Sequence, residues 1–238
     1  MRNGWLVQPW TGKRCMNEKH SDGADMPSKV GAVVLAAGSA SRMGGRPKCL
    51  LELEGVSLLR RQWMALAGAG VQDTVVVLGH YAQRIRQSAP ELPVQWLTNP
   101  DPDAGQESSL RLGLQALAPD VDAVLVLLAD QPLIEAQDLQ DVIAAYAQRP
   151  AHTQLVRPVV DGLPGNPVMF SRSVALDILA GPPTMGGRQW QQQNPKRVYR
   201  WPSTNGHYRA DVDSPEDLQA LAQQTGLLLR WPEDLQRD

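Results

Sequence analysis

From residue 30 onward, short apolar runs alternate with segments of helical spacing, and this rhythm constrains the fold more than any other feature of the chain. "VGAVVLAAG" is an unbroken apolar run ending in glycine, the mark of a strand buried on both faces of a parallel sheet. "SLLRRQWMALAGAG" follows, with Leu58, Leu59, Trp63 and Leu66 at helical spacing and a glycine-rich stop. The alternation continues as strand "DTVVVLG", helix "YAQRIRQSA", strand "PVQWLTN" and helix "SSLRLGLQALA". Strand "DAVLVLLAD", the most apolar and therefore expected to be central, and helix "QDLQDVIAAYAQ" complete it. Repeated strand–helix order predicts a doubly wound, mostly parallel α/β sheet. Right-handed crossovers then gather the strand C-terminal ends at one edge, where such sheets bind ligands.

After residue 150 the rhythm changes. "TQLVRPVVDGLPGNPVMF" reads as two strands around a Gly/Pro turn, followed by a helix near 171–179 and a "GPPTMGGRQW" loop. "KRVYRWP" and "HYRADVD" are expected as strands and "SPEDLQALAQQTG" as a helix, with Ser214 as N-cap, Pro215 at its first position and Glu216 and Asp217 in its first turn. Residues 29–224 are expected to form one domain whose second half is a small β region for an acceptor. Residues 225–238 are expected to be a C-terminal tail. Residues 1–28 lack an apolar signal core and periodicity, and read as a flexible extension in which Trp5 and Trp10 are candidates for a contact.

Bulk properties bound the function. The chain has 238 residues, of which 42% are apolar, enough for a real core. A net charge of -2 argues against a general nucleic-acid binder, yet a small phosphorylated ligand needs only a few local cations. No stretch of about eighteen apolar residues exists to span a membrane. The two cysteines, Cys15 and Cys49, form no CxxC pair, which disfavours structural zinc or a disulfide framework and suits a reducing cytoplasm. Cys49 sits in an apolar run and is expected to be a buried hydrophobe.

The chemistry-bearing residues fall at strand ends. Gly38, Ser39, Ala40 and Ser41 follow the first strand, where successive backbone N–H groups can make an anion nest. Arg42 and Lys48 then supply a forked and a mobile cation. A P-loop is ruled out because Lys48 follows Pro47 and precedes Cys49, and a dinucleotide fingerprint because GxGxxG is missing. Asp130 ends the strand "AVLVLLAD", where it suits either a helix cap or Mg²⁺. "ADVDSPEDL" brings a second acidic pair, Asp211 and Asp213, only one of which is expected to point at the site.

"LAAGSASRMGGRPK" resembles the LxxGxSxRMGxxK signature of the MobA-like nucleotidyltransferases, and the resemblance extends over residues 30–221. It implies a Rossmann-like sheet of the nucleotide-diphospho-sugar transferase type and transfer of a nucleotidyl group from an NTP with loss of pyrophosphate. Leu35, Ala36, Ala37, Gly38, Ser39, Ser41, Arg42 and Lys48 would cradle the triphosphate. Asn99, Gly105, Ser108 and Ser109, in "NPDPDAGQESSL", would meet the nucleoside, although Ser108 also suits a helix N-cap. Asp130 and Asp211 would hold Mg²⁺, with Asp213 bracing the turn. Arg42, Lys48 and Asp130 are the expected catalytic residues.

Within the family, guanylyl-transferring members read "LAGG" and cytidylyl-transferring members "AAG"; Ala36-Ala37-Gly38 fits the second. "DQP" and "GLPGNPVMF" resemble the cytidylyltransferases of molybdenum cofactor. That likeness implies CTP and a molybdopterin-type acceptor as substrates, and Gln131, Gly165, Asn166, Pro167 and Arg188 on the acceptor side, with His80 in a minor role. A molybdenum hydroxylase apoenzyme would be a further partner. GTP as donor, a sugar or alditol phosphate as acceptor, and a cofactor-binding chaperone stay open at this point.

Overall fold

The computed structural model describes residues 27–236. The candidate contacts Trp5 and Trp10 therefore lie outside the described residues. The strands are β1 (Val30–Ala36), β2 (Glu52–Leu53), β3 (Val56–Ser57), β4 (Asp73–Leu78), β5 (Gln95–Thr98), β6 (Ala123–Leu128), β7 (Leu155–Val160), β8 (Leu163–Pro164), β9 (Val168–Ser171), β10 (Val198–Pro202) and β11 (Leu229–Arg230). The helices are α1 (Leu58–Gly68), α2 (Ala82–Ser88), α3 (Gln106–Ala116), α4 (Ala136–Ala147), α5 (Arg172–Ala180), α6 (Gly187–Gln193) and α7 (Pro215–Thr225).

The main sheet runs β10-β7-β9-β6-β1-β4-β5, with β8 hung on β7. β1 pairs in parallel with both β4 and β6, and β4 with β5, as the strand–helix rhythm requires. β9 is the reversed strand, antiparallel to β6 and β7. Alternate residues of the central strands feed two cores. Ala32 and Val34 of β1 join Val76, Leu125 and Leu127 under α1 and α4. Val33 joins Val75, Val77 and Val124 under α3 and α5. This is why those strands read as continuous apolar runs: both faces are covered.

Two expectations change. "HYRADVD" is not a strand: Gly206–Arg209 forms a 3₁₀ turn, and residues 210–213 lie outside any strand. Its alternating pattern comes from burial of Tyr208 and Val212, not from sheet pairing. The segment expected as a tail turns back onto the body, where β11 pairs antiparallel with β2 and Leu235 is buried. Arg46 stacks on Trp231 at 4.6 Å and donates to the Leu235 carbonyl, so this segment braces the glycine-rich loop from outside.

Candidate active site

The C-terminal end of β1 opens into the loop 37–47. Ala40 has φ 50° and ψ 34°, a left-handed conformation uncommon for a residue with a Cβ. With Gly44 and Gly45 also at positive φ, the chain coils tightly back on itself. Strain of this kind persists where the surroundings impose it, and it clusters at ligand sites. Met43 is the anchor: it is buried with Leu51, Leu58, Val212 and Leu221 in a third small core. That core ties the loop to the segment carrying the second acidic pair. The neighbouring strand end approaches as closely. A Cβ on Gly79 would lie 2.4 Å from the Ala37 carbonyl oxygen, and the Tyr81 hydroxyl donates to the Ser39 carbonyl at 2.7 Å.

Against the signature, Arg42, Met43 and Gly44 align directly. The signature's serine then falls on Ala40, and Lys48 comes one residue later than the pattern places it. Ser39 and Ser41 flank Ala40 and are exposed.

Lys48 is the centre of the site. Its ammonium donates to Asp130 at 2.6 Å and to Asp213 at 2.5 Å. Arg42 reaches the other Asp213 oxygen at 2.8 Å. Burial works against the charge on Lys48, but the two carboxylates outweigh it and hold its pKa above the ordinary lysine value. The Lys48 hydrogen bond in turn holds Asp213 below the usual carboxylate range. The second Asp130 oxygen, Oδ1, is buried without a hydrogen-bond partner. Such an orphan acceptor suits a bound cation.

The acidic pair differs from expectation. Residues two apart in an extended segment share a face, and Val212, buried between the two aspartates, takes the opposite one. Its N–H donates to the Asp130 carbonyl at 3.1 Å, locking the two acidic stations together. Asp213, expected only to brace the turn, is the residue bonded to Lys48; Asp217 does the bracing through the Asp213 and Ser214 amides. Asp211 is exposed as a residue, yet partial desolvation of its carboxyl, with the Asp130 and Asp213 charges nearby, pushes its pKa up. The three carboxylates supply the hard oxygen donors that Mg²⁺ prefers. Among the described residues, no group of three or more His, Cys, Asp or Glu is already arranged around an ion position.

A cavity of about 200 Å³ lies on this loop, lined by Leu35, Ala36, Ala37, Gly38, Lys48, Gly105, Ser109 and Asp130 among others. Asn99 is buried behind it and donates to Ser108 and Ser109 at 2.7 and 2.9 Å. These polar residues brace the loop into α3, and Gly105, not Ser108, takes the cap position at φ 101°. A second cavity of about 470 Å³ shares Leu35, Gln106 and Leu128 with the first and is walled by Asn166, Arg157 and Arg188. The loop residues and the Asn166–Arg188 wall thus line two adjoining cavities.

Other acceptor-side expectations lie elsewhere. Gln131 is buried, with its amide reaching the carbonyls of Asn166 and Tyr208. Gly165 lets that turn approach: a Cβ there would sit 2.7 Å from the Tyr208 carbonyl oxygen. Asn166 and Pro167 are joined by a cis peptide bond. His80 points away, to Asp103 at 3.1 Å, and lines a separate groove with Arg60, Tyr81 and Arg84. Gly79, Tyr81, Gln106 and Arg157 also border these cavities or the loop, and no sequence motif marks them. For Gly79 the signal was its position at the end of a buried strand.

Residues 32–198 match the model of the MobA-like NTP transferase domain. The chain belongs to that family. Among curated proteins, CMP-5'-(3-aminopropyl)phosphonate synthase of Streptomyces rubellomurinus is 33% identical over 162 residues, covering 62% of this chain and 26% of that one. Rv0371c of Mycobacterium tuberculosis superposes with TM-score 0.69 at 24% identity, covering 82% of this chain and 99% of that one. Its manganese complex gives 0.63 at 23% identity, over 83% and 100%. CMP:2-keto-3-deoxy-manno-octonic acid synthetase complexed with CTP superposes with TM-score 0.61 at 16% identity, over 84% and 99%. These structural likenesses show the nucleotide-diphospho-sugar transferase type of fold. The chain spans about a quarter of the length of the curated relatives it matches (26% and 25%). No helix among the described residues is long and apolar enough to cross a membrane.

Proposed function

We propose that this protein transfers a cytidylyl group from CTP to molybdenum-bearing molybdopterin, giving the cytosine dinucleotide and pyrophosphate. The observation that carries nucleotidyl transfer is the strained anion loop closed by Lys48 onto Asp130 and Asp213. The cytidine assignment is supported by Ala37 in the loop and by the streptomycete relative, whose name joins CMP to a phosphonate. The molybdopterin assignment rests on the resemblance of "DQP" and "GLPGNPVMF", and on a second cavity that continues from the first.

In this reading the backbone of residues 38–41, Arg42 and Lys48 receive the triphosphate. A phosphate oxygen of the acceptor attacks the α-phosphorus in line. The new P–O bond forms as the α–β bridge breaks, and pyrophosphate leaves with the bridging electrons. The acceptor phosphate has a second pKa near 6, so it is already ionised at neutral pH and needs no general base. No protein nucleophile takes part; positioning and fixed positive charge lower the barrier. Lys48 is held by carboxylates on one side and offers its remaining N–H to the phosphates, so it enters the reaction already oriented. Asp130 and Asp211 or Asp213 are the residues that would hold Mg²⁺. When bound, the ion neutralises charge on the phosphate oxygens. Pyrophosphate release with CTP, GTP and molybdenum cofactor as substrates tests the reading: strict use of GTP, or turnover of a sugar phosphate without pterin, overturns it.

A further inference from the structure

Arg157 of β7 and Arg200 of β10 are direct register partners on adjacent parallel strands at the sheet edge. Like charges directly opposite on neighbouring strands destabilise a sheet. A third guanidinium, Arg188 near the start of α6, lines the same cavity of about 400 Å³, together with Val159, Gln191 and Val198. The fold therefore crowds three positive charges where an apolar or mixed set would cost less. Burial and its two arginine neighbours push the Arg157 pKa down, the direction expected where no acid compensates the charge.

Among the described residues four arginines are ion-paired, and others, such as Arg46, Arg111 and Arg149, are held by two or more backbone carbonyls. Arg42 pairs with Asp213, Arg60 with Glu91, Arg84 with Asp234 and Arg197 with Asp177. Among the described residues, Arg157, Arg188 and Arg200 have no carboxylate within ion-pair distance. Yet the chain is net acidic, so the imbalance is local. Arg157 is oriented all the same: its Nε donates to the Gly165 carbonyl at 3.2 Å and its Nη1 to Gln191 at 3.3 Å. Those bonds fix the plane of the guanidinium and leave Nη2 free to donate to a ligand. A planar, pre-oriented guanidinium is the donor best suited to the oxygens of a phosphate-like anion.

The location narrows what binds. This cavity shares Arg157, Pro164, Arg188 and Gln191 with the acceptor cavity, and shares no lining residue with the triphosphate cavity. Arg157 and Arg188 thus line both cavities, and Arg200 lines only the one that has no residue in common with the triphosphate cavity. We propose that Arg157, Arg188 and Arg200 bind a second, multiply charged oxyanion carried at the far end of the acceptor. The acceptor class is thus a molecule with a reacting phosphate at one end and another oxyanion, a phosphate or an oxo-metal group, at the other. This rests on the reading of the Asn166–Arg188 cleft as the acceptor's.

The test needs no nucleotide, so it is separable from the CTP assay. Full-length protein in chelator-treated buffer is titrated with inorganic phosphate and, separately, with molybdate, reading melting temperature and binding heat. Wild type, Arg200→Gln, Arg188→Gln and Lys48→Met are compared. Either arginine variant is expected to lose at least about ten-fold in affinity for one oxyanion site, roughly what one lost charge-assisted donor costs. Arg200→Gln is also expected to melt no lower than wild type without anion, because it relieves the in-register repulsion. Lys48→Met is expected to keep the arginine site. Tighter binding of phosphate identifies a phosphoryl end, and of molybdate an oxo-metal end; either supports the proposal. Affinity within two-fold of wild type in both arginine variants, or loss confined to Lys48→Met, overturns it.

Discussion

Replacing Lys48 by Met keeps most of the side chain's length and removes the charge that holds two carboxylates together. In the wild type the Lys48 side chain is 16% exposed, Asp130 22% and Asp213 34%. This is between a surface pair, contributing about 0–1 kcal/mol, and a buried one, whose disruption costs about 3–5 kcal/mol. Asp130 is left without a cation while Asp213 keeps Arg42, and Asp211 adds a further charge nearby. Screening at the more exposed Asp213 discounts the total, and about 3 kcal/mol is expected at neutral pH in metal-free buffer. For a chain of this size that is a fall of about 6–12 °C in melting temperature. Urea unfolding in the presence of EDTA measures it. The cause predicts its own reversals. Lys48→Met/Asp213→Asn should regain about half the loss. Mg²⁺ should raise the melting temperature of Lys48→Met more than that of wild type. The Asp213 carboxyl is held below its ordinary value, so its contribution is present above about pH 4 and is lost as pH falls through its folded-state titration. Wild type and Lys48→Met should therefore converge on acidification. A loss under about 1 kcal/mol, or a double variant no more stable than the single one, refutes the electrostatic account.

Three further outcomes follow from the geometry. Asp130→Asn keeps the shape but removes the charge beside the orphaned oxygen, so steady-state turnover should fall at least about 100-fold with the circular dichroism spectrum unchanged. Gly79→Ala puts a methyl group 2.4 Å from the Ala37 carbonyl and 2.8 Å from Pro102; nucleotide affinity measured by calorimetry should drop, with about 1–3 kcal/mol lost from stability. The Cys49 thiol is buried and its pKa pushed up to about 12, so in a Cys15→Ser background iodoacetamide should label the native protein slowly through pH 10 and the urea-unfolded protein rapidly.

Period and burial carried most of the fold from the sequence. The central strands are apolar on both faces, and a sheet covered by helices on both sides buries a run like "AVLVLLAD". The loop 38–48 was legible because glycines, serines and two cations follow directly on the end of a buried strand. Alternation misled at 207–213, since Tyr208 and Val212 alternate with polar residues for reasons of tertiary packing alone. The bond between Asp213 and Lys48 was hidden because it depends on Met43 and Val212 sharing one small core, residues 169 positions apart that no local pattern links. The arginine cavity was hidden for a similar reason. Arg157, Arg188 and Arg200 are scattered in the chain, and the pairing register of the edge strand β10 with β7 brings two of them side by side. Docking of 229–236 also depends on partners distant in sequence, Leu53 and Arg46.

Pyrophosphate release measured with each of the four NTPs, with molybdenum cofactor as acceptor, tests the central claim most directly. The account predicts turnover with CTP in preference to GTP, dependent on both the acceptor and a divalent ion. Turnover with GTP alone, or none with any nucleotide under conditions where the folded protein binds Mg²⁺, contradicts it.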